Sequence, residues 1–120
     1  MQNKKQFLDY ILSYLESHGA IRSRAMFGGY GIYLGDVMFG LIAENVLYFR
    51  VDDINRSDYL ELDAKPFVYS MGPKTVSLPY FELPEEILNN SEKLGVWIKR
   101  STDAAKRNKV VKNKKSKQQK

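Results

Sequence analysis

Residues 24–35 read RAMFGGYGIYLG, two adjacent glycines and a third two positions on, set among aromatic side chains. A dinucleotide loop needs G-x-G-x-x-G between a strand and a helix, so that helical N–H groups meet the pyrophosphate. Gly28, Gly29 and Gly31 have a different spacing, and the chain continues as Tyr30, Ile32 and Leu34 in strict alternation. No Lys-Ser or Lys-Thr follows, as a phosphate-binding loop would require. The stretch therefore predicts a bulge or sharp bend inside one long strand, where glycine permits a positive φ and a close backbone approach. That places the chain among binding modules rather than nucleotide-using enzymes, and no cofactor is implied.

Outward from this stretch the period of two persists. Residues 21–34 read as one extended segment, Gly35-Asp36 as a turn, 37–43 as a second strand, Glu44-Asn45 as a turn, and 46–51 (VLYFRV) as a third strand. Before them, Phe7, Ile11, Tyr14 and Leu15 follow a 3.6 period and predict a helix over 4–17 that stops at Gly19. After them, 52–63 reads as a short polar helix capped by Asp52 or Asp53. A strand follows over 65–70, then a turn at 71–74. The strand over 75–82 is placed at an edge because Pro79 cannot donate to a ladder. Pro84 opens a helical turn, and Asn89 is the expected cap of a last helix. That helix presents Leu94, Trp97, Ile98, Ser101, Ala104 and Ala105, with Trp97 expected against Leu47 and Phe49. The predicted order is α-β-β-β-α-β-β-α, a two-layer α+β domain with an antiparallel sheet.

The chain has 120 residues, 43% of them apolar and none of them cysteine. One core is the expectation at this length. Disulfides, a cysteine nucleophile and thiolate metal sites are excluded. No apolar run approaches the ~18 residues of a membrane span, and Asp9 interrupts any signal-like stretch, so the expected location is the cytoplasm. The net charge of +5 divides unevenly. Residues 106–120 hold eight Lys or Arg and no acid, whereas residues 1–105 hold eleven basic and fourteen acidic side chains. Residues 1–108 are accordingly read as the folded domain and 109–120 as a mobile basic tail.

Catalytic chemistry is not signalled. His18, the one histidine, falls at a helix end where a cation suits the dipole, and no serine motif stands beside it. The pairs Asp52-Asp53 and Glu85-Glu86 lie at predicted helix starts, which the dipole also favours. Binding is better supported. In VLYFRV, Leu47, Phe49 and Val51 share one face, while Tyr48 and Arg50 take the other, with Tyr33 expected beside them. Three helices suffice for one face of a five-stranded sheet, leaving Tyr33, Tyr48 and Arg50 on an open one. Such a face suits base stacking in a single-stranded nucleic acid. It suits equally a partner protein or a second copy in a homodimer. Tyr on a wet strand face is also explained by propensity alone. In the tail, Lys109, Lys112, Lys114, Lys115, Lys117 and Lys120 are candidates for weak, non-specific phosphate contacts, with a solubilising role as the competing reading.

The stretch from Arg24 to Asp52, RAMFGGYGIYLGDVMFGLIAENVLYFRVD, resembles the core of the N-terminal domain of the TfoX/Sxy family of bacterial competence regulators. The likeness continues in KPFVYS (65–70), VSLPYFELPEEI (76–87) and LGVW (94–97), and spans about residues 4–108. The resemblance implies a two-layer fold like that of secretion chaperones. It also implies a non-enzymatic coactivator of DNA-uptake genes that acts with a cyclic-AMP receptor protein. Members linked to competence carry a second, helical domain, where this chain has its Lys-rich tail.

Overall fold

The computed structural model describes the backbone of residues 3–118 and the side chains of residues 3–108. Helix α1 (Lys4–Leu15) starts at Asn3, whose side chain accepts from the Gln6 N–H at 2.8 Å while the Gln6 side chain accepts from the Asn3 N–H at 3.0 Å. This reciprocal capping box fixes the start of the helix. A 3-10 turn (Glu16–His18) leads to four strands: β1 (Ile21–Met26), β2 (Gly29–Leu34), β3 (Val37–Ala43) and β4 (Val46–Arg50). Helix α2 (Arg56–Leu60) crosses to β5 (Pro66–Met71) and β6 (Lys74–Glu82), and α3 (Glu85–Leu88) and α4 (Ser91–Gln118) end the chain. The strands form one antiparallel sheet in the order β1-β2-β3-β4-β6-β5. The architecture is small α+β, as the period analysis expects.

Several details differ from the sequence reading; the polar helix, for one, is shorter than 52–63 and has Asn55, not Asp52 or Asp53, at its cap position. The expected single strand over 21–34 is a hairpin, so the sheet has six strands rather than five. Phe27 (φ 48°) and Gly28 (φ 77°) are both left-handed, and two such residues in succession reverse the chain in a two-residue turn matched to strand twist. Phe-Gly lacks the Asn-Gly or Asp-Gly signature, and the turn forms with the Phe27 side chain fully exposed. Nor is Pro79 on an edge strand. It lies in β6 between β4 and β5, at a register shift where β6 skips from Phe81 opposite Pro66 to Leu78 opposite Phe67. The bulge removes the demand for a Pro N–H, and the Pro79 carbonyl accepts from the Val51 N–H at 2.9 Å. Finally, α4 is capped by Asn90, whose side chain accepts from the Lys93 N–H at 3.1 Å. Asn89 instead ends the separate helix α3. The helix is described as far as Gln118, through most of the 109–120 stretch read as a mobile tail, whose side chains and last two residues lie outside the described residues.

The core lies on one side of the sheet. Leu8, Ile11 and Leu15 of α1, Tyr59 of α2, Ile87 and Leu88 of α3 and Leu94 and Ile98 of α4 all pack with Ile32, Phe39, Ile42, Leu47 and Phe49 of the sheet. Helix α4 lies across β3 and β4. Trp97 does not reach the centre of this layer. It is half-buried, packs against the margin of the core and meets Tyr59 edge-to-face at 4.5 Å. The Tyr59 hydroxyl is within 3.1 Å of Ser101 Oγ, and burial pushes its pKa up. Two arginines lock α4 to the segment after β4. Arg100 Nε donates to Asp58 at 2.7 Å, and Arg107 donates to both oxygens of Asp52, at 2.6 and 3.0 Å. Asp52 also accepts from the Ile54 N–H, while the buried Asn55 side chain accepts from the Asp52 N–H and donates to the Arg50 carbonyl.

The glycines of the opening stretch do separate jobs. Gly28 supplies the left-handed turn. A Cβ on Gly29 would lie 2.0 Å from the Ile42 carbonyl oxygen, inside the β2–β3 ladder. Gly31 leaves room for the side chains of Met26 and Met38, which a Cβ would meet at 3.0 and 3.2 Å. Gly28→Ala should cost about 1 kcal/mol from the positive φ, and Gly29→Ala about 1–3 kcal/mol because strand backbone must move. Urea unfolding measures both, and variants as stable as the parent would refute this account.

The Arg107 hydrogen bonds hold the Asp52 carboxyl below its usual value of 3.8. Since the folded-state pKa is the depressed one, the stabilisation is complete above that usual value and is lost as pH falls through the folded pKa. Asp52→Asn keeps the oxygen that accepts from the turn but loses the charge. Its melting temperature should fall below the parent's near neutral pH, and the two should converge once the pH drops below the lowered carboxyl pKa of the folded state. A gap unchanged by acid would mean the ion pair contributes nothing.

Candidate binding face

Strand β4 determines the second face of the sheet. Leu47 and Phe49 are buried under the helices, so the pleat turns Val46, Tyr48 and Arg50 the other way, and all three are half-buried. All four helices contribute to the core on the first face, whereas the second carries the half-buried Val46, Tyr48 and Arg50 and the buried Tyr80 opposite Arg50. Tyr33, Tyr48 and Arg50 are therefore located on the face expected of them.

The structure adds partners that the sequence reading does not contain. Tyr48 meets Phe67 of β5 edge-to-face at 4.8 Å, and Phe67 in turn lies 5.9 Å from Tyr69. Burial pushes the Tyr48 hydroxyl pKa up, with smaller contributions from Glu82 and Glu44. Arg50 is paired across the ladder with Tyr80 of β6, and its guanidinium stands 5.6 Å above that ring. On the other flank Arg22 of β1 is paired with Tyr33 and stands 5.5 Å above its ring. Arg22 also donates to the Gly35 carbonyl at 3.1 Å and to Asp36 at 3.3 Å. The face thus carries two Arg–Tyr stacks and an aromatic row along β4 and β5. These pairs arise from register between distant segments, which a single-strand pattern cannot disclose. Arg50 Nε is buried and has no hydrogen-bond partner. A buried donor left unpaired costs about 1–3 kcal/mol, and such exceptions mark strain or an acceptor supplied from outside.

His18 is more than an exposed helix-end residue. Its ring packs on Gly95 of α4, where a Cβ would lie 3.1 Å from Nδ1, and its Nε2 is buried without a partner. A glycine inside a helical pattern is the sequence signal for such packing. Among the described residues no group of three or more His, Asp or Glu is placed to hold a metal, and no helix is long and apolar enough to cross a membrane. The lysines from Lys109 to Lys120 lie outside the described side chains.

Comparison with known proteins agrees with the motif resemblance. The family profile of the TfoX N-terminal domain matches residues 13–105, most of the chain. The protein Sxy of Escherichia coli strain K12 is 28% identical over 100 residues, which is 83% of this chain and 48% of that relative. The chain thus spans about half the length of the curated relative it matches. Over residues 13–105, from the first helix through the Phe27-Gly28 hairpin and the Tyr48–Arg50 strand to Ala105, the chain belongs to the TfoX N-terminal domain family.

Proposed function

We propose that this chain is a non-enzymatic regulator of the competence type, acting on transcription by holding a protein partner on the open face of its sheet. The reading rests on the family and, above all, on Arg50. Its guanidinium stands over the Tyr80 ring with a buried, unpaired Nε–H, and on the same face Tyr48 packs on Phe67. An aromatic patch around an arginine is the composition of an interface hot spot. A partner carboxylate or carbonyl would pair with the Arg50 guanidinium, while Tyr48 and Phe67 lose water against apolar side chains. A regulator of the cyclic-AMP receptor type is the partner that the family resemblance singles out, so it is the first to try. The alternative, a nucleic-acid module built on the lysine run and the same face, has phosphate attraction from the tail but a body of net charge −3 over residues 1–105.

The two readings separate in one set of titrations. The chain is labelled and titrated with purified cyclic-AMP receptor protein and, separately, with duplex DNA at several salt concentrations. Tyr48→Ala combined with Arg50→Ala should weaken protein binding at least tenfold, about 1.4 kcal/mol, with the far-UV spectrum unchanged. Replacing Lys109, Lys112, Lys114, Lys115, Lys117 and Lys120 by Gln should leave that affinity intact and flatten the salt dependence of any DNA binding. Loss of protein binding in the Gln variant, together with full binding by the double alanine variant, would overturn the sheet-face reading.

A further inference from the structure

The two edges of the sheet are guarded differently. Edge strand β1 carries the exposed cations Arg22 and Arg24, the usual protection against pairing with another chain. Edge strand β5 reads Pro-Phe-Val-Tyr-Ser-Met and carries no charge. Val68, Tyr69 and Met71 on it are 51%, 39% and 57% exposed, high values for large apolar side chains in a strand.

The ladder also shows which backbone groups of β5 point outward. The Glu82 N–H donates to the Lys65 carbonyl, flanking the Pro66–Phe81 pair, so Pro66 itself faces away from β6. At the other end Met71 and Lys74 flank the two-residue turn at Gly72-Pro73 and face each other. With regular alternation between these ends, Val68 and Ser70 direct their N–H and C=O groups away from the sheet. Pro66 deprives the start of that row of a donor but leaves these two residues complete.

We infer that β5 is the pairing edge for a second copy of this chain, the two β5 strands lying antiparallel about a two-fold axis at Tyr69. In this register Tyr69 stands opposite Tyr69 of the second copy, Phe67 opposite Met71, and Val68 opposite Ser70. Each Val68–Ser70 pair exchanges two backbone hydrogen bonds. An isologous contact must be self-complementary, and this strand is: large apolar residues at 67, 69 and 71 flank the axis symmetrically, and no charge meets a like charge. A foreign segment would find on β5 no charged side chain to select it. Because the paired residues keep their faces, the aromatic rows along β4 and β5 of both copies join into one surface. This inference stands apart from the partner reading, since it concerns an edge and not the open face.

The absence of cysteine makes the register testable in the full chain. Tyr69→Cys introduces a single thiol at the axis, where Cα atoms of a non-hydrogen-bonded pair lie about 4.5 Å apart, inside the disulfide range of about 4.4–6.8 Å. Mild oxidation should convert it to a covalent dimer of twice 13.9 kDa that reductant reverses. Ser70→Cys should stay monomeric under the same conditions, because its Cα lies opposite Val68 and more than about 7 Å from its own copy. Sedimentation of the unmodified chain should likewise give twice the monomer mass, and Tyr69→Lys should halve it while keeping its far-UV spectrum. The inference is overturned by a monomeric parent, by equal cross-linking of both cysteine variants, by a Tyr69→Cys chain that stays uncross-linked, or by a dimer that survives Tyr69→Lys.

Discussion

Phe49 meets Phe39 edge-to-face at 5.2 Å under α4, and with Leu47 it anchors β4 to the helical layer. The pleat turns this packing into a constraint on everything nearby. With Phe49 fixed inward, Tyr48 and Arg50 have only the other face available, and a slip of one residue would exchange the two sets. Gly40, directly opposite Phe49 across the ladder, keeps the strands close there, since a Cβ would meet the Tyr48 carbonyl at 3.2 Å. The core and the candidate binding face are thus two sides of one registration, and a slip of β4 would disturb both.

This dependence explains why part of the site was legible in the sequence. The alternation in VLYFRV sorts Tyr48 and Arg50 from Leu47 and Phe49 with no knowledge of neighbouring strands, and the helix over the first residues follows as directly from Leu8, Ile11 and Leu15. What escaped needed information from elsewhere in the chain. The Phe27-Gly28 turn is set by backbone angles that a Phe seldom adopts, so the adjacent Gly-Gly pair drew attention to a bulge. Arg22 over Tyr33 and Arg50 over Tyr80 depend on pairings that turn chemistry alone does not fix. Helical period marks Trp97 as core, yet it ends half-buried against the Tyr59 ring at the margin of the cluster. Arg107 and Asp52, 55 residues apart, meet only because α4 lies over the end of β4.

Family membership and geometry address different questions. The profile match and the likeness to Sxy establish the fold's lineage across most of this chain, but about half of that relative lies outside the alignment. The aligned part carries the sheet's second face, which follows from the one-sided layering of helices, and the uncharged edge strand β5, which ends the sheet.

The pairing of Arg107 with Asp52 has a mechanical consequence. Asp52 shares its turn with Asn55, and Asn55 grips the carbonyl of Arg50. Arg107 of α4 is thereby tied to the backbone beneath Tyr48 and Arg50. A shift of the helix at this point would reach that strand through the ion pair as well as through the direct packing of α4 on β3 and β4.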